Sequence, residues 1–223
     1  MKLRKKFAIT ISSLILSVGG LSACSSDGDT AALDCAEPIL IGAAMAQTGF
    51  MAPFDAPALA TAQIAVDKIN AAGGISGCQV VLEAVDTETN PDKGQQIATD
   101  LVAKGAKMLL VTCDYDINAK SSQVANDAGV LVVAPCVGST AMGPDNGLDL
   151  GYSMGSAVPG EAAIMAEYAY ENLGQTVTLF KDMSIAYTTS QCDAFETRFK
   201  ELAELLSPLN NSHRPKLVHW ISQ

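Results

Sequence analysis

ILIGAAMAQTGFMAPFDAPALATAQIAVDKINAAGGISGCQVVLEAV, residues 39–85, is the stretch whose reading decides the fold. It opens on a short continuous apolar run at 39–44, the pattern of a strand buried on both faces. Leu59, Ala62, Val66 and Ile69 then recur at helical spacing and predict a helix over about 56–71, stopped by Gly73 and Gly74. VVLEAV at 80–85 is a second strand. Strand, helix and strand within fewer than fifty residues make a βαβ unit, in which the two strands run parallel.

The same alternation continues outward. Asn90 and Pro91 supply an N-cap and a proline at the first helical position, and the helix runs to about Lys104 before Gly105. A strand at 108–112, a helix at 118–128 closed by Gly129, and a strand at 130–134 follow. Strands this apolar fit a parallel sheet covered by helices on both faces, so the fold class is α/β and doubly wound. Residues 135–146 are rich in Gly, Pro and Ser, and 148–154 read as extended. A helix over 160–172, a strand over 176–180 and a helix striped by Phe195, Phe199, Leu202 and Leu206 form a second α/β unit. The division is a first lobe at 37–147 and a partial second lobe at 148–206. Residues 207–223, SPLNNSHRPKLVHWISQ, show neither helical nor alternating periodicity and stand apart as an anomalous tail.

The first 36 residues carry a different message. Lys2, Arg4, Lys5 and Lys6 precede an apolar run at 7–18, too short to span a bilayer but suited to a signal-peptide core. Leu21-Ser22-Ala23-Cys24 resembles the lipobox of bacterial lipoproteins. The expectation is a signal peptide at 1–23, a lipid on Cys24, a flexible Ser-, Asp- and Gly-rich tether at 24–36, and export to the bacterial cell envelope, anchored on the periplasmic or outer face of a membrane. Cleavage before Cys24 leaves ten basic residues against 24 acidic ones, a net charge of −14. That balance argues against nucleic acid, whose phosphates require Lys and Arg, and against broad attraction to anionic lipid.

The residues between Ile39 and Leu206 resemble the leucine/isoleucine/valine-type periplasmic binding proteins, the type 1 solute receptors of ABC transporters. The marks are Thr48-Gly49 and Phe54 after the first strand, the block from Ile69 to Gly77 (INAAGGISG), Asp86 after the second strand, Pro91, and Ala128-Gly129-Val130 followed by Ala134-Pro135. Asp182 to Tyr187 and Phe195 resemble the hinge-facing part of the second lobe. The resemblance implies two lobes closing on a small polar solute, an amino acid, amide or amine, with an ABC permease as partner and no cofactor. A ligand-sensing or interaction lipoprotein of the same fold is the alternative. Family members are considerably longer, so the chain is read as a fragment, with a frame shift as one account of its tail and a naturally short variant as the other account of its length.

The ligand residues this implies are Phe54, Asp114, Tyr115, Ser139, Thr140 and Tyr187, all in loops beyond the carboxyl ends of strands, where open α/β sheets bind ligands. Helix N-termini in those loops suit a ligand carboxylate, whereas Asp114 and Asp116 favour a positive group. Asp116 reads equally as the cap of the following helix. Cys35 and Cys78 precede neighbouring strands of such a sheet and Cys113 and Cys136 end neighbouring strands, so bridges Cys35–Cys78 and Cys113–Cys136 are expected, with Cys192 left over. Enzymatic readings fail on the residues: no GxGxxG follows a strand, and His213 and His219 both lie in the tail, away from any triad or metal set.

Overall fold

The computed structural model describes residues 35–206 and 217–222. The expectations for the signal peptide, the lipid on Cys24 and nearly all of the tether therefore lie outside the described residues, as do 207–216 of the tail. In chain order the elements are β1 (Ile39–Met45), α1 (Ala52–Ala71), β2 (Val80–Asp86), α2 (Pro91–Ala103), β3 (Met108–Val111), α3 (Tyr115–Asp127), β4 (Leu131–Ala134), β5 (Gly151–Ser153), α4 (Val158–Asn172), β6 (Val177–Asp182), α5 (Ala186–Leu206) and β7 (Leu217–Ser222).

Five parallel strands form one sheet in the order β2-β1-β3-β4-β5. Alternate residues of its strands feed opposite faces, as the pleat requires. Leu109, Val111, Val132 and Ala134 pack with Ile97, Ala98 and Leu101 of α2 and Ala125 of α3. Ala43, Met45 and Leu110 face the other way, against Ala58, Leu59 and Ala62 of α1. A second layer pairs β6 with β7, and α4 packs on α5 through Ala166, Tyr170, Phe199, Leu202 and Ala203.

The turn after α1 explains its sequence. The Asn70 amide donates to the Val80 carbonyl and accepts from the Val80 N–H, both at 2.8 Å, so one side chain fastens the helix end to β2. Gly74 has φ +82° and a Cβ there would lie 2.1 Å from the Cys78 carbonyl oxygen, so no other residue fits. Cys78 and Cys35 are bridged with Cα atoms 5.0 Å apart, which ties the last residues before β1 to the start of β2.

Two expectations about elements need correction. The helix α1 starts at Ala52 rather than near residue 56, and it runs through Pro57. Pro57 lies only six residues into the helix, where the backbone donor it lacks costs one bond to Pro53, and the first turn is held instead by Phe54 and Asp55 N–H bonds to the Met51 carbonyl. The tail, read as aperiodic, supplies β7, whose six residues lie in register against β6 from Val177↔Leu217 to Asp182↔Ser222. Its LVHWIS run is rich in the β-branched and aromatic residues that strands favour, and the edge of β6 that the sequence leaves open is paired.

Candidate functional site

Three carboxylates shape the carboxyl ends of the first sheet. Asp55, in the first turn of α1, is fully buried; its Oδ2 accepts from the Ala46 N–H at 2.7 Å and its Oδ1 from the Cys113 N–H at 2.9 Å. It thereby joins the ends of β1 and β3 to one helix. Burial pushes its pKa up, the nearby Asp114 charge adds to this, and the bonds from Cys113, Ala46 and Thr112 oppose it. Asp86, at the end of β2, accepts from the N–H groups of Gln47 (2.8 Å), Thr48 (3.1 Å) and Glu88 (2.8 Å) and from the Thr48 hydroxyl (2.7 Å). Desolvation works to raise its pKa, but these four bonds prevail and hold it at about 2. The loop it organises passes through Gly49, at φ +83°, where a Cβ would lie 2.4 Å from Thr89 Oγ1. That loop presents Phe50 and Met51.

Asp114 follows β3 and is the N-cap of α3, its Oδ1 accepting from the Ile117 N–H at 3.3 Å. The cap is thus Asp114, not Asp116, because only the residue before the helix has the extended backbone that turns its carboxylate onto the exposed amides. Asp114 is 7% exposed. Burial raises its pKa and the Asp116 charge contributes, against the bonds it accepts. Asp116, inside the first turn, reaches across to accept from the Ala186 N–H at the start of α5, at 2.8 Å. Cys113 and Cys136 are bridged with Cα atoms 4.9 Å apart, joining the ends of β3 and β4.

The opposite wall is the start of α5. Tyr187 lies over Gly138, where a Cβ would be 2.7 Å from the ring's Cε2 and 2.8 Å from Val158 Cγ2. Its hydroxyl donates to Glu161 Oε2 at 3.2 Å and accepts from Gln191 at 3.5 Å. Burial, followed by the charge of Glu161, pushes the phenol's pKa up.

Between these walls is a cleft of about 470 Å³. Phe54, Asp114, Tyr115, Ser139 and Tyr187 all line it. Thr140 does not: the chain turns at Ser139, whose carbonyl accepts from the Met142 N–H, and Thr140 faces an adjoining hollow with Met142, Pro144 and Tyr152. Phe54 is in the first turn of α1 rather than in a loop, and its ring is 59% exposed. Sequence reasoning missed Phe50, Met51, Val137, Gly138, Ile185, Ala186 and Thr188, which also line the cleft. A glycine loop followed by Phe-Met was a usable sign of the first two; the last three depend on a juxtaposition of segments about 70 residues apart.

A sequence model of the family described as periplasmic binding protein matches residues 38–203. The chain belongs to the periplasmic binding proteins. Leu/Ile/Val-binding protein homolog 3 of Brucella melitensis is 33% identical over 162 residues, 71% of this chain and 43% of that protein. The crystal structure of the branched-chain amino acid transporter substrate binding protein LivJ from Streptococcus pneumoniae, in complex with isoleucine, is 22% identical and superposes with a TM-score of 0.70 over 83% of this chain and 50% of its own. A solute binding protein of an ABC transporter from Rhodopseudomonas palustris, in complex with 3,4-dihydroxybenzoic acid, gives a TM-score of 0.66 at 14% identity, covering 82% of this chain and 47% of that one. The fold of this periplasmic binding protein is therefore the type 1 fold, and the chain spans about half the length, or less, of the proteins it matches. The relatives are binding proteins rather than enzymes, and the family's place is outside the cytoplasm.

Proposed function

We propose that this chain carries the ligand cleft of an extracytoplasmic solute receptor that delivers a small polar solute, an amino acid, amide or amine, to an ABC importer. The observation that carries the reading is the cleft itself: it lies beyond the carboxyl ends of β1, β3 and β4, where open α/β sheets place ligands, and a second wall from α5 faces it. Its volume suits a molecule of amino-acid size. The relatives' names and bound ligands, Leu/Ile/Val and isoleucine, support a solute of that class. Phe54, Asp114, Tyr115, Ser139 and Tyr187 are proposed ligand contacts, with Thr140 at the margin. The lipid on Cys24 would keep an acidic domain, with no electrostatic attraction of its own to a membrane, beside its permease.

A thermal-shift screen of small nitrogenous metabolites on the purified chain tests the binding. A hit whose stabilisation disappears in Tyr187→Ala is expected, and a screen in which no metabolite raises the melting temperature overturns the reading. For the anchor, Cys24→Ser is expected to move the protein from the membrane fraction to the soluble one.

A further inference from the structure

We infer that the solute taken by this cleft is an organic cation, an ammonium-bearing molecule with an apolar body. The inference rests on the receptor reading above and concerns only the charge of the ligand. Helix N-termini at the carboxyl end of a sheet are the usual anion sites, because their first amides are unpaired and their dipole end is positive. Here those places are already filled. Asp114 caps α3 through the Ile117 N–H and Asp116 accepts from the Ala186 N–H at the first residue of α5, the first amides of α1 donate to the Gly49 and Met51 carbonyls, and Asp55 takes up the Ala46 and Cys113 N–H groups at the ends of β1 and β3. A ligand carboxylate entering the cleft would meet Asp114 and Asp116 where it needs donors.

The remaining side-chain donors are neutral: the hydroxyls of Ser139 and Tyr115 line the cleft and accept from the Ala141 N–H and the Asn146 amide. The Tyr187 hydroxyl donates to Glu161, and the Thr188 hydroxyl is directed at the Asp182 and Ile185 carbonyls. No Lys, Arg or His among the described residues lines the cleft. Among the described residues, the ion pairs all lie elsewhere, so Asp114 and Asp116 have no cationic partner. A carboxylate as enclosed as Asp114 gains most from a positive neighbour that completes its pairing. The other lining supplies the rest of the recognition: Phe50, Phe54, Tyr115 and Tyr187 bring four aromatic rings to the cleft, and such rings attract a cation as well as an apolar chain.

The test is calorimetry on the full chain with two matched series, one on a branched five-carbon body and one on a phenylethyl body. Each series holds the amine, the α-amino acid, the primary amide of the acid, and the carboxylic acid. The amine is expected to bind tightest in at least one series, and Asp114→Asn and Asp116→Asn are each expected to weaken it about tenfold or more. Asparagine keeps the cap and the acceptor for Ala186 while removing the charge, so both variants should fold. Tightest binding by the amino acid, the amide or the acid, or an amine affinity unchanged in both variants, overturns the inference and leaves the receptor reading standing. Binding by no member of either series, in a protein that also gives no shift with any metabolite, overturns both.

Discussion

The wall of the cleft built from β1, β3 and β4 is fastened by the Cys113–Cys136 bridge, by Asp55 and by the four bonds to Asp86, whereas the wall supplied by α5 has no covalent tie. Three contacts locate that second wall: Asp116 to the Ala186 N–H, Tyr187 to Glu161, and the Tyr187 ring against Gly138. The layers behind them differ in the same sense. The first sheet is covered on both faces, while the second leaves Phe180 78% exposed. The difference assigns labour: the first wall sets what fits, and the second wall is the one that can yield.

The largest expected effect falls on the weaker wall. Phe199, on the face of α5 that packs against α4, is 1% exposed, with Tyr170 edge-on at 5.3 Å and Phe195 stacked at 5.8 Å. Phe199→Ala should cost about 4 kcal/mol. In hydrogen exchange the amides of α4 and α5 should lose protection while those of β1, β3 and β4 keep it. Equal loss across both sheets would break the comparison, since the two walls would then unfold as one.

Next comes the bridge. Replacing Cys113 and Cys136 together by Ala opens a 23-residue loop and should cost about 3 kcal/mol in urea unfolding. The effect should be concentrated in the ends of β3 and β4, where the Cys113 N–H also donates to the Asp55 carboxylate. A loss under about 1 kcal/mol would show that Asp55 alone fixes this wall.

A smaller effect is expected where the walls touch. Gly138→Ala places a methyl group against Tyr187 and Val158. The overpacking should cost about 1–2 kcal/mol of stability and should weaken binding of the amine probe roughly tenfold by displacing the ring. Unchanged affinity would mean that Tyr187 does not close on the ligand.

How far the sequence alone reaches follows the same division. The first sheet was legible because parallel strands are continuous apolar runs and because Asn90-Pro91, Gly105 and Gly129 punctuate the helices between them. Both bridges followed once the neighbouring strands were known. Less could be read at the cleft. Asp114 and Asp116 are the same residue type two positions apart, and which one caps depends on a backbone angle that sequence does not display. The occupied N-terminus of α5 was invisible for another reason: the carboxylate that fills it comes from the other wall. The strand at 217–222 was missed because Pro208 and Pro215 precede a short run that holds His219 and shows no alternation.

The smallest effect separates the carboxylates of the first wall by the sign of their response to pH. Asp86 titrates at about 2 in the folded protein against 3.8 in the unfolded chain, so its contribution is present above pH 3.8 and is lost as pH falls from there toward 2. The group is partly open to water, which reduces the contribution to about 1 kcal/mol. Asp55 and Asp114 are shifted the other way. The unfolded chain then releases their protons first, and stability falls as pH rises above 3.8 toward their raised folded values. Urea midpoints measured from pH 2.5 to 6 should therefore rise and then level or decline. Asp86→Asn should remove the acid limb and Asp114→Asn should reduce the decline. If Asp86→Asn leaves the acid limb intact, the Gln47–Thr48 loop is held by Thr89 and Gly49 rather than by the carboxylate, and the first wall is fastened by its bridge and by Asp55 alone.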